Sequence, residues 1–372
     1  MQIKPFRLER YFAEYEFKAP YLLCSSDCES LLIDDLLKLE KGSSEKFKEL
    51  WLGYTESQGH PLLRNEICNL YSNIQQEEIL VHSGAEEAIF NTMNVVLKKG
   101  DHVIVPFPCY QSLFELANSI GCEITPWHAY EKDDWKFDVD FVKNNIRSNT
   151  KLVIINSPHN PTGSVLSSDD LTELVNLSEK HGFIIFSDEV YKYLEHSPET
   201  RLSSVCDLTK NGISLNVMSK SFGLAGLRIG WLATKNRELY KKLAEYKDYI
   251  TICNSAPSEY LATIAIRNRK YIINRNLSII KDNLSVLNSF FAKYNNLFSW
   301  KPPVAGPIAF PSLKSGNVDK FCKNLVSKAG ILLLPGALYG SSYPNFRIGF
   351  GRANMKKNLS KLEECILNNN FL

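Results

Sequence analysis

Lys220 has the setting in this chain that most favours chemistry. It follows the apolar run ISLNV and precedes a glycine-rich turn within NVMSKSFGLAGLRIGW, residues 216–231. A lysine leaving a buried strand is partly desolvated, which lowers its pKa and makes the neutral amine needed for imine formation more accessible. A lone lysine at a strand end is usually an ordinary surface residue, so its neighbours must carry the argument. One of them is SGAEEAI, residues 83–89, a glycine-led turn into a helix. The first backbone N–H groups of such a helix, those of Ala85 and Glu86, point at an anion. Arg228 adds a fixed positive charge whose geometry suits phosphate.

These residues need elements to hold them. Between about residues 60 and 235, strand-like pieces (EEILVHSG, DHVIVPFP, CEITPWHA, KLVIINSP, FIIFSDEV, ISLNVMSK and GWLATK) alternate with amphipathic stretches. The alternation predicts a wound α/β sheet. Nearly continuous apolar runs ending in Gly, Pro, Ser or Asp are expected of strands buried on both faces, with chemistry gathered at their carboxyl ends. From Pro257 to about Tyr294 the apolar residues recur at helical intervals with no further Gly or Pro, which predicts one long helix, straight or bent. Beyond it, PPVAGPIAFPSL, GILLLPG and NFRIGFG read as strands, KFCKNLVSKA and residues 356–368 as helices, together a second, α+β domain.

Composition narrows the class. Forty-three basic and 41 acidic residues nearly cancel without blocks of like charge, so neither nucleic acid nor an anionic membrane is favoured as partner. Small molecules are. Nine scattered cysteines lack a disulfide pattern and fit a reducing cytoplasm. The charged start MQIKPFRLER and the lack of an 18-residue apolar run give no sign of a signal peptide or membrane span. The seven histidines form no paired motif and Cys24 with Cys28 lack a second pair, so no metal site is expected. A nicotinamide-dependent oxidoreductase would need Gly-x-Gly-x-x-Gly after a first strand, and GLAGLRIG has the wrong spacing.

The segment SKSFGLAGLRIG resembles the cofactor-lysine signature of the class I/II aminotransferases, fold type I pyridoxal 5′-phosphate (PLP) enzymes of the aspartate aminotransferase superfamily. Six further segments match that family in order: YTESQGHPLLR, SGAEEAI, PFPCY, NSPHNPTG, SDEVY and FRIGFGR. The resemblance implies that Lys220 holds PLP as a Schiff base and that Asp188 faces the pyridine nitrogen, keeping it protonated. It implies that Asn160 and Tyr191 bond the phenolic oxygen and that Tyr110 stacks on the ring. Ala85, Glu86, Ser219 and Arg228 would hold the phosphate. Arg347 would clamp the substrate's α-carboxylate, with Asn160 beside it, and Arg352 would be an ordinary surface residue. Tyr54 resembles a tyrosine that reaches the neighbouring subunit's phosphate, implying a homodimer with shared active sites. Each has a plain alternative: Asp188 as a helix cap, NPTG as a turn, Tyr110 and Tyr54 as core or surface aromatics.

The chain departs from the family's pattern at Val217, where a hydroxyl that bonds the phosphate is usual. The carboxylates of Glu86 and Glu87 are expected to point away from that phosphate. The N-terminal YLLCSSDCESLLIDDLL lacks the usual glycine and, with LERYF, looks like the capreomycidine synthase-like subgroup. Cys24 to Glu29 would then shape a substrate pocket, with Asp27 or Glu29 meeting a basic side chain. The expected organisation is an N-terminal segment (residues 1–45) contributing to a small domain, a large PLP-binding domain (46–256), and a linking helix with the small C-terminal domain (257–372). The expected reaction is transamination of an L-amino acid by a cytoplasmic enzyme of amino acid metabolism. The alternatives on the same scaffold are β- or γ-elimination with replacement or cyclisation, and decarboxylation. A PLP-binding regulator would need a DNA-binding segment, and none is evident.

Overall fold

Each strand-like piece of the central region forms a strand in the computed structural model, which describes residues 2–340 and 343–368. β1 (Ile79–His82), β2 (His102–Phe107), β3 (Glu123–His128), β4 (Thr150–Asn156), β5 (Ile184–Asp188), β6 (Gly212–Val217) and β7 (Gly230–Ala233) make one sheet in the order β1-β7-β6-β5-β4-β2-β3. β2 through β6 pair in parallel, whereas β7 runs antiparallel to both β6 and β1. β1, β2, β6 and β7 are buried along their whole length, which is why their sequences do not alternate. β3, at the sheet's edge, does mix exposed with buried positions.

This topology aims every motif at one edge. Because β1 and β6 both oppose β7, His82 and Val217 each sit across from Gly230, and the two strands end on the same side. Asn156 at the end of β4 lies level with Asp188 at the end of β5. The loops leaving these strands therefore enclose a common crevice, the place where wound α/β sheets bind ligands.

The chain enters through α1 (Arg7–Tyr15), and α2 (Ala85–Val96) follows β1. Tyr21–Leu22 then pairs in parallel with Ile331–Leu332, tying the first segment to the last third of the chain. The expected single helix is two, α3 (Ala256–Arg267) and α4 (Arg269–Lys293). Asn268 between them leaves helical geometry at φ −98° and ψ 19°, and its side chain donates to the Ile264 carbonyl and to Glu40. An asparagine side chain competes with the backbone in this way, and apolar spacing alone does not reveal it. β8 (Phe346–Gly349) is the middle strand of a small antiparallel sheet between Ile308–Ala309 and Leu334–Pro335. α5 (Met355–Leu367) closes the described chain. No described helix is long and apolar enough to cross a membrane.

Candidate active site

A cavity of about 420 Å³ opens outside the carboxyl edge of the sheet. Ala85, Glu86, Tyr110, Asn160, Asp188, Tyr191, Ser219, Lys220, Arg228 and Arg347 all line it. Tyr54 does not. It is 84% exposed and lies beside a second cavity of about 460 Å³ with Trp51 and Tyr260, a space that gathers none of the other expected residues.

Lys220 lies three residues past the end of β6, and its Nζ donates to Ser26 Oγ at 2.9 Å. Burial lowers its pKa, with Asp27 opposing and Arg347 reinforcing the shift. Asp188 is buried, and its Oδ1 accepts the Val190 N–H at 3.2 Å. No helix starts at Glu189, so the cap alternative falls away. Burial pushes this carboxyl up to about 7, with Lys220 opposing the shift. The Tyr191 hydroxyl is sealed from solvent with no partner in hydrogen-bonding geometry among the described residues. Its ring lies 5.9 Å from Lys220 Nζ.

Asn156 was not foreseen as more than a strand end. Its Nδ2 donates to the Asp188 and Pro158 carbonyls while its Oδ1 accepts the Asn160 N–H at 2.7 Å, so one side chain fastens the NPTG turn to the neighbouring strand. Asn160 Oδ1 in turn accepts from Arg347 Nη1 at 3.2 Å. Arg347, on β8 and 2% exposed, also gives Nε–H and Nη2–H to the Cys24 carbonyl at 3.2 and 2.8 Å. A guanidinium has five N–H groups, so one remains on each terminal nitrogen, a fork matching a carboxylate.

α2 presents its first turn, Ala85 and Glu86, to the cavity. Its N-cap, Gly84, has φ +93°, and a Cβ there would meet Arg228 Nη2 at 2.5 Å. Arg228 Nη1 donates to Ser219 Oγ at 3.4 Å. The Glu87 carboxylate turns away, to His82, the Ser83 N–H and Thr251. Glu86 bonds Ser112 but remains in the cavity lining, and burial raises its pKa.

The cavity's remaining wall comes from the N-terminal region. Leu8, Glu9, Phe12 and Glu16, from α1 and its C-cap, line it with Ser25, Ser26 and Asp27. Arg352, expected at the surface, is a lining residue held in two hydrogen bonds, Nε and Nη2 to Asp27 at 3.0 and 2.8 Å. Glu29 accepts the Ala353 N–H instead of facing the cavity. In R-I-G-F-G, a Cβ at Gly349 or Gly351 would collide with the Ser25 or Asp27 carbonyl, so both glycines let the N-terminal segment lie against β8. Serines 25 and 26 carry no sequence signature, and only the CSSDCE run as a whole pointed to this place.

The chain matches the family described as aminotransferase class I and II over residues 21–363. It belongs to that family. Among similar proteins, capreomycidine synthase of Streptomyces vinaceus is 26% identical over 362 residues, 96% of this chain and 92% of that protein. A PLP-dependent aminotransferase from Streptococcus suis 89-1591 has a TM-score of 0.92 and 29% identity, covering 99% of both chains. The PLP-dependent cyclase OrfR has a TM-score of 0.90 and 26% identity, over 99% of this chain and 98% of that one. The class I/II aminotransferase family is one of PLP-dependent transferases, and the fold is fold type I.

Proposed function

We propose that this enzyme binds PLP through Lys220 and transaminates an L-amino acid that carries a free α-carboxylate. One observation carries the reading: a partly desolvated lysine, a buried carboxyl of raised pKa, a tyrosine hydroxyl sealed from solvent and three guanidinium groups converge on a single cavity.

The residues present fit the cofactor. Asp188, with its raised pKa, suits a protonated ring nitrogen, and Tyr191 awaits an acceptor such as the phenolic oxygen. The Gly84 turn lets Arg228 and the first N–H groups of α2 crowd together as a phosphate site needs, with Ser219 in place of the hydroxyl missing at Val217. Bound there, PLP supplies an electron-withdrawing ring that acidifies the α-hydrogen of an attached amino acid. Asp188 would keep the ring nitrogen protonated. Tyr110 would cover one ring face. Arg347 would take the α-carboxylate on its two free N–H groups, with Asn160 fixing the fork from behind. Lys220, displaced by the substrate amine, would take the proton from the α-carbon and deliver it to the adjacent cofactor carbon.

The side-chain end of the substrate would face α1. Asp27 is neutralised by Arg352, so Glu9 and Glu16 are the carboxylates left to meet a basic group there, in place of the Asp27 or Glu29 first considered. Similarity to capreomycidine synthase and to a cyclase supports the second reading, elimination with replacement or cyclisation, on the same residues. Decarboxylation is the third outcome this site could support. Tyr54 projects from its own chain's surface beside exposed Trp51 and Leu52, so it could serve only a neighbour's cavity, which supports a homodimer. We assign residues 46–256 to a large domain and 257–372 to a linking helix and a small C-terminal domain, with residues 1–45 contributing to the small domain. Nine free thiols suit a reducing compartment, and we place the enzyme in the cytoplasm.

The test is an absorbance spectrum of the purified protein with PLP, then during titration with a panel of L-amino acids that includes basic ones. A visible band present in the wild type and missing from Lys220→Ala supports attachment at Lys220. Release of a keto acid with conversion of the band to the pyridoxamine form supports transamination. A new product with PLP regenerated selects the second reading, and no band after reconstitution overturns the proposal.

A further inference from the structure

We propose that Ser26 is a positioning residue for Lys220, its hydroxyl holding the free Nζ amine in place while that amine moves protons. The inference rests on Lys220 being the cofactor lysine and deepens that reading.

The contact joins residues far apart in sequence, Lys220 Nζ donating to Ser26 Oγ at 2.9 Å. To take or give a proton Lys220 must be a free amine, and its Nζ then needs a fixed place. A lysine side chain released from a covalent bond regains several rotamers and wanders. A fixed acceptor limits that wandering. Ser26 is such an acceptor because the backbone on both sides of it is pinned. The Cys24 carbonyl accepts twice from Arg347, Asp27 is gripped by Arg352, and the Glu29 N–H donates to the Gly351 carbonyl at 2.9 Å. The Ser25 carbonyl is packed directly on Gly349.

The electronic consequence follows from geometry. A neutral amine that donates one N–H to Ser26 keeps its lone pair free to take a proton from the reacting carbon, and the ammonium so formed, which can give a proton back, keeps the same bond, now charge-assisted. Ser26 thus favours the ammonium slightly. Other charges facing Lys220 come from Asp27, Glu9 and Asp188, which favour the ammonium, from Arg347, which opposes it, and from Glu16 across the cavity. The Tyr191 ring centroid lies 5.9 Å from Nζ, and its hydroxyl is also close to the Ser26 side chain. Ser26 differs from these in touching Nζ itself.

The experiment compares Ser26→Ala and Ser26→Thr in two states. In the apoprotein, the pH dependence of Lys220 labelling by an amine reagent, read by mass spectrometry, gives the lysine's pKa without cofactor or turnover. Ser26→Ala is expected to lower that pKa and Ser26→Thr to leave it near wild type. In the holoenzyme, Ser26→Ala is expected to reduce kcat on the order of tenfold with KM little changed. Its α-deuterium isotope effect should rise as proton transfer becomes slower, and Ser26→Thr should recover most of the rate. An unmoved Lys220 labelling profile in Ser26→Ala overturns the inference, as does a threonine variant no better than alanine. If the apoprotein labelling shifts as expected but no amino acid is turned over by wild type, the Ser26 contact stands and the proposed reaction fails.

Discussion

Asp188 is the residue in the cavity whose ionisation burial disfavours most clearly, and this can be measured without substrate. Its folded pKa, about 7, lies above the ordinary aspartate value of 3.8. Below pH 4 both folded and unfolded forms are protonated and the group costs nothing. As pH rises from 4 to 7 the unfolded carboxyl ionises while the folded one cannot easily follow, so apoprotein stability falls, and above 7 the full cost persists. Asp188→Asn should therefore stabilise the apoprotein, by an amount on the order of 2–3 kcal/mol greater at pH 8 than at pH 5. Urea unfolding at the two pH values reads this, and an equal effect at both would show that the carboxyl does not carry the strain. The same variant should bind PLP more weakly. Lys220, Asp188, Tyr191, Asn160, Arg228 and Arg347 were legible as candidates because each sits in a short local pattern. Glu16 was not, and Ser26, Glu9 and Arg352 lay in segments that resembled the family without being singled out themselves, because no local pattern says which of their side chains reach the cavity.

Among the elements, the turn from β1 into α2 is the one whose geometry bears directly on the proposed phosphate site. Gly84 occupies φ +93°, and a methyl group there would press on Arg228 as well as strain the backbone. Gly84→Ala is expected to weaken PLP binding by roughly tenfold or more, since a displaced guanidinium loses a charge-assisted contact with the phosphate. Equilibrium dialysis followed by absorbance gives the affinity, and circular dichroism shows whether the fold survives. Unchanged affinity would separate Arg228 from the phosphate. The strands were predictable because burial on both faces leaves an unbroken apolar run. The break between α3 and α4 was not, because it depends on the Asn268 side chain finding Ile264 and Glu40, a choice that apolar spacing does not encode.

At the scale of the whole molecule, Tyr54 stands apart from the cavity, exposed on a face that also exposes Trp51 and Leu52. If the active sites are shared, the protein should run as a dimer by light scattering. Mixed Lys220→Ala and Tyr54→Ala chains should then recover activity that neither variant shows in full alone, because one hybrid site receives both native residues. No recovery on mixing would argue that each chain's site is complete by itself. The sequence by itself determined the family, the central strands and the residues at their ends, since these follow from local runs and fixed spacings along the chain. Only the tertiary structure decided which side chains form the cavity's N-terminal wall. The segment bearing Ser26 and Asp27 reaches Lys220, Arg347 and Arg352 because Tyr21–Leu22 pairs with Ile331–Leu332 and two glycines admit close backbone contact, and long-range pairing of this kind leaves no periodic trace in either partner.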